Sequence, residues 1–443
     1  MSKKSLLMAF LMAVSAMGRM CAQGQRLAMS LEQLYRTADE HNTSIKSYES
    51  ALREAEAGVR VAKAERLPDV DASASFSYLG GGRITDRNFT HGFGVHIPHY
   101  GNNFALQATM PIYTGGAIES GISLSRLAGE MAKANAADNR QRVRMLLTGH
   151  YLQLHCLRNQ ERVFDENIRL TETLIAHTRK REAEGVVLRN DLTRYELQLH
   201  ELQLGLTQVK NQGRIVNHQL LTALGIDGEI EILPTESFDQ PEGMDAEMTT
   251  ESAWQQQATD NAPALQRAQL GISMSEQRVR LEKSARRPSI ALVAEEHLDG
   301  PITVEIPNLN KNLNYFFVGV GLKYRFGSLY KNNHKVRQAR LATETARQQH
   351  QTAIEEVENA VQAAYTELQT SQAELETNRK RVELSEQNYS VVNNRYQNGL
   401  ALVTDMVDAA NQRLDAQLSL VNSRIHVLYS YYRLRFVSGT LGN

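Results

Sequence analysis

The chain has 443 residues, and its 49 basic and 50 acidic side chains leave a formal net charge of −1. That balance lacks the basic surplus expected of a nucleic-acid binder. With only two cysteines, Cys21 and Cys156, and 6% aromatic residues, a disulfide framework and a set of ordinary globular domains are both disfavoured.

Lys3 and Lys4 precede an apolar stretch over 6–17, followed by small residues and Ala22-Gln23. This pattern predicts a secretory signal peptide over 1–22. The stretch is shorter than the roughly 20 apolar residues a membrane helix takes. Gly18, Arg19 and Met20 make a poor lipobox before Cys21, so lipidation is not expected. No later segment reads as a membrane helix. An exported chain of this kind is secreted, periplasmic, or set in an outer membrane as a β-barrel.

Repeat 1 covers 23–226. Leu31, Leu34, Tyr35, Ala38, Ile45, Tyr48, Leu52 and Val59 recur at helical spacing and predict a helix over about 30–66, ended by Leu67-Pro68. Strict alternation follows. Val70, Ala72, Ala74, Phe76 and Tyr78 oppose Asp71, Ser73, Ser75 and Ser77, which predicts a strand over about 69–79. Phe104, Leu106, Ala108, Met110 and Ile112 predict a second strand over about 103–113. Gly115-Gly116 then opens a helix over about 116–184, roughly 105 Å long if continuous at about 1.5 Å per residue. After a turn at Gly185 a helix returns over about 187–224. The acidic, proline-bearing segment 227–250 reads as a connector.

Repeat 2 covers 251–443 in the same order: a helix over about 251–286, strands over about 289–296 and 314–326, and helices over about 328–398 and 401–438 around Gly399. All nine prolines fall outside 112–233 and 308–443, as long helices require. The duplication is visible in residues. At an offset of 220, Ala38, Glu56, Val59, Arg60, Lys63, Arg66 and Pro68 meet Ala258, Glu276, Val279, Arg280, Lys283, Arg286 and Pro288. At an offset of 214, Arg181, Gly185, Asp191, Gln198 and Leu204 meet Arg395, Gly399, Asp405, Gln412 and Leu418.

The fold class is therefore mainly α with a β part, internally duplicated. Apolar-out, small-polar-in alternation suits a transmembrane barrel, although a half-buried soluble sheet gives the same pattern. Four strands cannot close a barrel, since even the smallest have about eight. A barrel reading thus demands several chains.

The chain resembles the TolC family of outer-membrane efflux channels. The residues that carry the resemblance are Arg66-Leu67-Pro68, Met110-Pro111-Ile112-Tyr113-Thr114-Gly115-Gly116 and Leu220-Leu221-Thr222-Ala223-Leu224-Gly225, with Gly185…Asp191 and Gly399…Asp405 at the turns. The resemblance covers the mature chain. It implies a homotrimer whose strands form one twelve-stranded β-barrel in the bacterial outer membrane, continued by an α-helical tube in the periplasm. It also implies a periplasmic adaptor (membrane fusion protein) and an inner-membrane pump or ABC exporter as partners. The function implied is the exit channel of a tripartite efflux or type I secretion system.

The family pattern places two gating aspartates after the second turn, and Asp405 and Asp408 match them. Threefold symmetry would gather six carboxylates round one axis. Read without the family, the same two residues simply favour a helix N-terminus. Tyr396 matches a family tyrosine of the closed tip, but Ala401 stands where an arginine is expected. Asp191 is a candidate partner for Tyr396, and Arg194 for the aspartates. The turns Gly185-Val186-Val187-Leu188 and Gly399-Leu400-Ala401-Leu402 are unusually aliphatic, which suits docking to an adaptor hairpin. His91, His96 and His99 share a Gly-rich loop without metal-ligand spacing. No Walker motif, catalytic triad or paired cysteine is present, so neither enzyme activity nor a cofactor is expected. The rival reading is a periplasmic helical adaptor or structural coiled-coil protein without a pore. The cargo is not readable from these residues.

Overall fold

The computed structural model describes residues 25–236, 250–303 and 308–442, so the signal-peptide segment lies outside the described residues. In chain order the elements begin with β1 (Gln25–Met29), α1 (Leu31–His41), α2 (Thr43–Ala64) and β2 (Asp69–Tyr78). Then come β3 (Gly82–Ile84), β4 (Phe93–Val95), β5 (Tyr100–Tyr113), α3 (Ala117–Ala183), α4 (Arg189–Leu224) and β6 (Ile230–Pro234). The second half supplies α5 (Glu251–Asn261), α6 (Pro263–Ser284), β7 (Ser289–Gly300), β8 (Leu313–Lys323), α7 (Ser328–Gln397) and α8 (Val403–Val437).

The single helices expected over 30–66 and 251–286 are each two helices. Asn42 breaks the first with extended backbone, and its Oδ1 accepts from Ile45 N–H while its Nδ2 donates to Ala223 O. Ala262 breaks the second because Pro263 pushes the residue before it out of helical geometry. Asn42 and Ala262 stand 220 apart, so the break itself is duplicated. Two features went unforeseen. β1 pairs in parallel with β6, which places a strand inside the expected connector, and β3 pairs with β4 in the strand–strand loop.

The chain forms two compact units. Of the described residues, one comprises 25–47, 138–236, 250–262 and 356–442; the other comprises 48–137, 263–303 and 308–355. In the first, Leu34, Ala38, Leu147, Tyr151, Leu154 and Leu220 pack with Ile232 into one core. Trp254, Ala258, Val361, Leu368 and Leu434 make a second, with Tyr365 packed against it. These are the same positions at offsets of 220 and 214, so each repeat buries one equivalent face.

The second unit carries an antiparallel sheet in the order β2-β5-β7-β8. Its face bearing Phe76, Leu106, Met110, Phe316, Val318 and Val320 is apolar and exposed. Tyr78 and Tyr100 lie at one end of the sheet and Tyr324 and Phe326 at the other, as aromatic girdles do. Glu296 is the charged exception on that face, between Leu106 and Phe316. All ten residues of β2 are exposed, and β2 and β8 are edges without a partner strand in the sheet. Gly115, at φ +69°, lets the turn after β5 reach the end of α6, where a Cβ would meet Ser284 O at 2.5 Å. Among the described residues no helix is long and apolar enough to cross a membrane.

Candidate functional site: the two helix-hairpin turns

The two turns close alike. Gly185 and Gly399 adopt φ +74° and +72°. Around the first, Gly185 N–H donates to Glu182 O and Val186 N–H to Arg181 O; around the second, Gly399 N–H donates to Tyr396 O and Leu400 N–H to Arg395 O. Paired bonds around a left-handed glycine satisfy the last carbonyls of the arriving helix. The departing helices start at Leu188 and Leu402, both extended, with an aspartate at the third helical position. Asp191 Oδ2 accepts from Leu188 N–H at 3.3 Å, and Asp405 Oδ2 accepts from Leu402 N–H at 3.0 Å. Each carboxylate also faces the positive end of its helix.

Asp408 lies on the exposed side of α8 one turn beyond Asp405 and makes no hydrogen bond or ion pair with the described residues. Arg194 is likewise exposed, and no ion pair joins it to either aspartate. At the turns themselves Val186, Leu188, Leu400 and Leu402 are 60%, 73%, 69% and 70% exposed. Four aliphatic side chains this accessible on two turns are apolar surface of the kind that marks interaction sites.

Beneath the turns lies a small core. Ile175, Leu192 and Tyr195 from the first hairpin meet Tyr396, Val403 and Met406 from the second, with Ala401 packed against them. The Tyr195 and Tyr396 rings sit 6.4 Å apart at 70°, and the Arg181 guanidinium covers the Tyr396 ring at 5.6 Å. Among the described residues neither phenol hydroxyl makes a well-formed hydrogen bond, although the two hydroxyl-bearing rings face each other closely enough to interact. Burial, reinforced by the facing Tyr396, pushes the Tyr195 phenol well above its ordinary range. The expected link between Tyr396 and Asp191 is therefore not made: Asp191 caps its own helix, and Tyr396 packs on Tyr195. Sequence reasoning did not single out Tyr195. The available signal was its place in the run Leu192, Tyr195, Leu199, at helical spacing on the face that Met406 meets.

Polar contacts join the hairpins further along. Gln198 Nε2 donates to Asn411 Oδ1 at 3.1 Å, Asn167 Nδ2 to Gln417 Oε1 at 3.1 Å, and Gln160 Nε2 to Asn422 Oδ1 at 2.7 Å. Cys156 is held within this seam, its thiol pushed up to about 11 by burial. In the other unit, His91 bonds Asp86 while His99 stacks on Tyr78, and no group of His, Cys, Asp or Glu among the described residues is arranged to hold a metal.

Comparison with known proteins agrees with this anatomy. The family model described as outer membrane efflux protein matches residues 34–226 and 254–440, one match per repeat. The outer membrane protein VceC of Vibrio cholerae is 16% identical, at a TM-score of 0.74, over 92% of this chain and 96% of its own. The CmeC outer membrane channel of Campylobacter jejuni is 16% identical, at 0.74, over 93% of this chain and 85% of its own. The open-state MtrE outer membrane channel of Neisseria gonorrhoeae is 16% identical, at 0.68, over 93% and 89%. No curated protein matches by sequence. The chain belongs to the outer membrane efflux protein family and is an outer-membrane exit channel.

Proposed function

We propose that three copies of this chain form a gated duct through the bacterial outer membrane, which receives solute from a periplasmic adaptor and an inner-membrane pump. The observation that carries this is the open sheet, with its exposed apolar face, aromatic ends and two edges lacking a partner strand. Lipid tolerates no such edges, so the sheet closes only by pairing β8 of one copy with β2 of the next. The helices form the periplasmic portion. Transport needs no chemistry in this chain: the pump supplies the energy and decides the cargo, in drug efflux or type I secretion alike.

Asp405 and Asp408 are the gate in this reading, six carboxylates around the threefold axis that favour cations and resist anions. The aliphatic turns at Val186, Val187, Leu188, Leu400, Ala401 and Leu402 are the adaptor's docking surface. Tyr396 acts in the gate through its packing on Tyr195, next to Asp191, rather than through an ion pair.

The test is the mass of the detergent-extracted protein from separated outer membranes, corrected for bound detergent. A trimer is expected there. A monomer recovered from soluble periplasm would overturn the channel and favour the adaptor-like alternative.

A further inference from the structure

The polar face of the sheet carries a titratable cluster that the gate does not use. Glu295, His297 and Asp299 alternate on β7 and so share one face. His297 Nε2 lies 3.0 Å from Glu295 Oε2, and its Nδ1 lies 3.9 Å from Asp299 Oδ2. The imidazole stacks on Tyr315 of β8, with ring centres 5.0 Å apart and planes at 10°. Asn103 of β5 donates to Asp299 Oδ1. The ring is thus held on both sides, and its side chain is 20% exposed.

Protonation has one place to occur. The Nε2–H is donated to Glu295, so the neutral ring leaves Nδ1 without a proton, and among the described residues that atom has no hydrogen-bond partner. A proton added at Nδ1 points at Asp299. The cluster then changes from two negative charges per chain to one. The facing groups do not buffer this change: β5 presents Asn103, Ala105 and Gln107, and β8 presents Tyr315, Phe317 and Leu313. Among the described strand residues, the nearest other charge on this face is Asp71 of β2, in the same row as Glu295 but two strands away.

We propose that His297 sets the ion preference of the barrel near its outward end and makes that preference depend on external pH. The face is the lumen because the opposite one is apolar, and His297 lies three residues from the loop end of β7. Threefold repetition turns the step into six negative charges in neutral medium and three in acid. Imidazole is the side chain that changes charge between about pH 5 and pH 8. The proposal rests on the channel reading above.

The experiment is the reversal potential of the purified full-length trimer in a planar bilayer under a KCl gradient, with pH varied on each side separately. Acidifying the loop side should lower the cation-to-anion permeability ratio about twofold or more in wild type. The variant His297→Gln should hold the neutral-pH ratio throughout, and His297→Arg the acid ratio. A full pH response retained in His297→Gln would overturn the proposal, as would a response only from the helix side, which would place the responding group away from the barrel mouth. Conductance with no pH response would overturn the mouth while leaving the channel intact; no conductance in any preparation would overturn both.

Discussion

The turn at Gly185 and the turn at Gly399 share a backbone: left-handed glycine, extended leucine, then aspartate at the third helical position. Beyond the cap they part. Where the second hairpin has Asp408 and Ala409, the first has Arg194 and Tyr195 at the matching positions. Local capping chemistry fixes the turn, so both copies keep it. Nothing in the helix constrains the next exposed and buried positions, so one hairpin carries two acids after its turn while the other supplies the Tyr195 ring that packs on Tyr396.

The comparison breaks most sharply at the exposed leucines. Replacing Leu400 and Leu402 together with aspartate should abolish export in cells while trimer and outer-membrane yield stay at wild-type levels. Substituting Val186 and Leu188 in the same way tests whether both turns dock. If export survives both double variants, the aliphatic turns are not the adaptor surface. The next effect is on the pore. Asp405→Ala with Asp408→Ala should raise single-channel conductance and weaken divalent-cation block several-fold, whereas Asp191→Ala should leave both unchanged. Equal block in wild type and the double variant would remove these aspartates from the gate.

The duplication, the strands and the long helices were legible because proline exclusion, period-2 alternation and glycine turns are all local signals. The break at Ala262 was missed although Pro263 carries a local signal for it, whereas the break at Asn42 depends on a carbonyl 181 residues away, at Ala223. The strand over 230–234 needs its parallel partner, Gln25–Met29, to exist, and pairing at that separation leaves no local trace. At the tip, Asp405 and Asp408 could be named only through the family resemblance, since their spacing alone equally suits a helix N-terminus. The Tyr195–Tyr396 contact could not, because it joins two hairpins whose register only tertiary packing sets.

That ring contact offers a further test. Tyr195→Ala empties a fully buried site and should cost about 3 kcal/mol locally, seen as faster hydrogen exchange through 189–200 and 396–407. Tyr195→Phe removes only a buried hydroxyl without a well-formed hydrogen bond and should be neutral or mildly stabilising. A destabilised Tyr195→Phe would mean that the hydroxyl is bonded in the trimer. The pH dependence has a definite sign. The folded-state phenol is raised above its unfolded value, so its contribution is complete below about pH 10 and fades as pH rises past it. Tip opening in alkali should therefore be less steep in Tyr195→Phe than in wild type.

The smallest expected effect is on the shared backbone, where the two hairpins should behave as equals. Gly185→Ala and Gly399→Ala each place a Cβ in left-handed conformation, and at both glycines nothing lies within 4 Å of it. Steric contact is therefore no part of the cost, which is the conformational term alone, about 1 kcal/mol. Equal increases in proteolytic nicking at the two turns would fit this. A larger loss of export from Gly399→Ala than from Gly185→Ala, at equal nicking, would place the gating motion in the second hairpin, where the aspartates are.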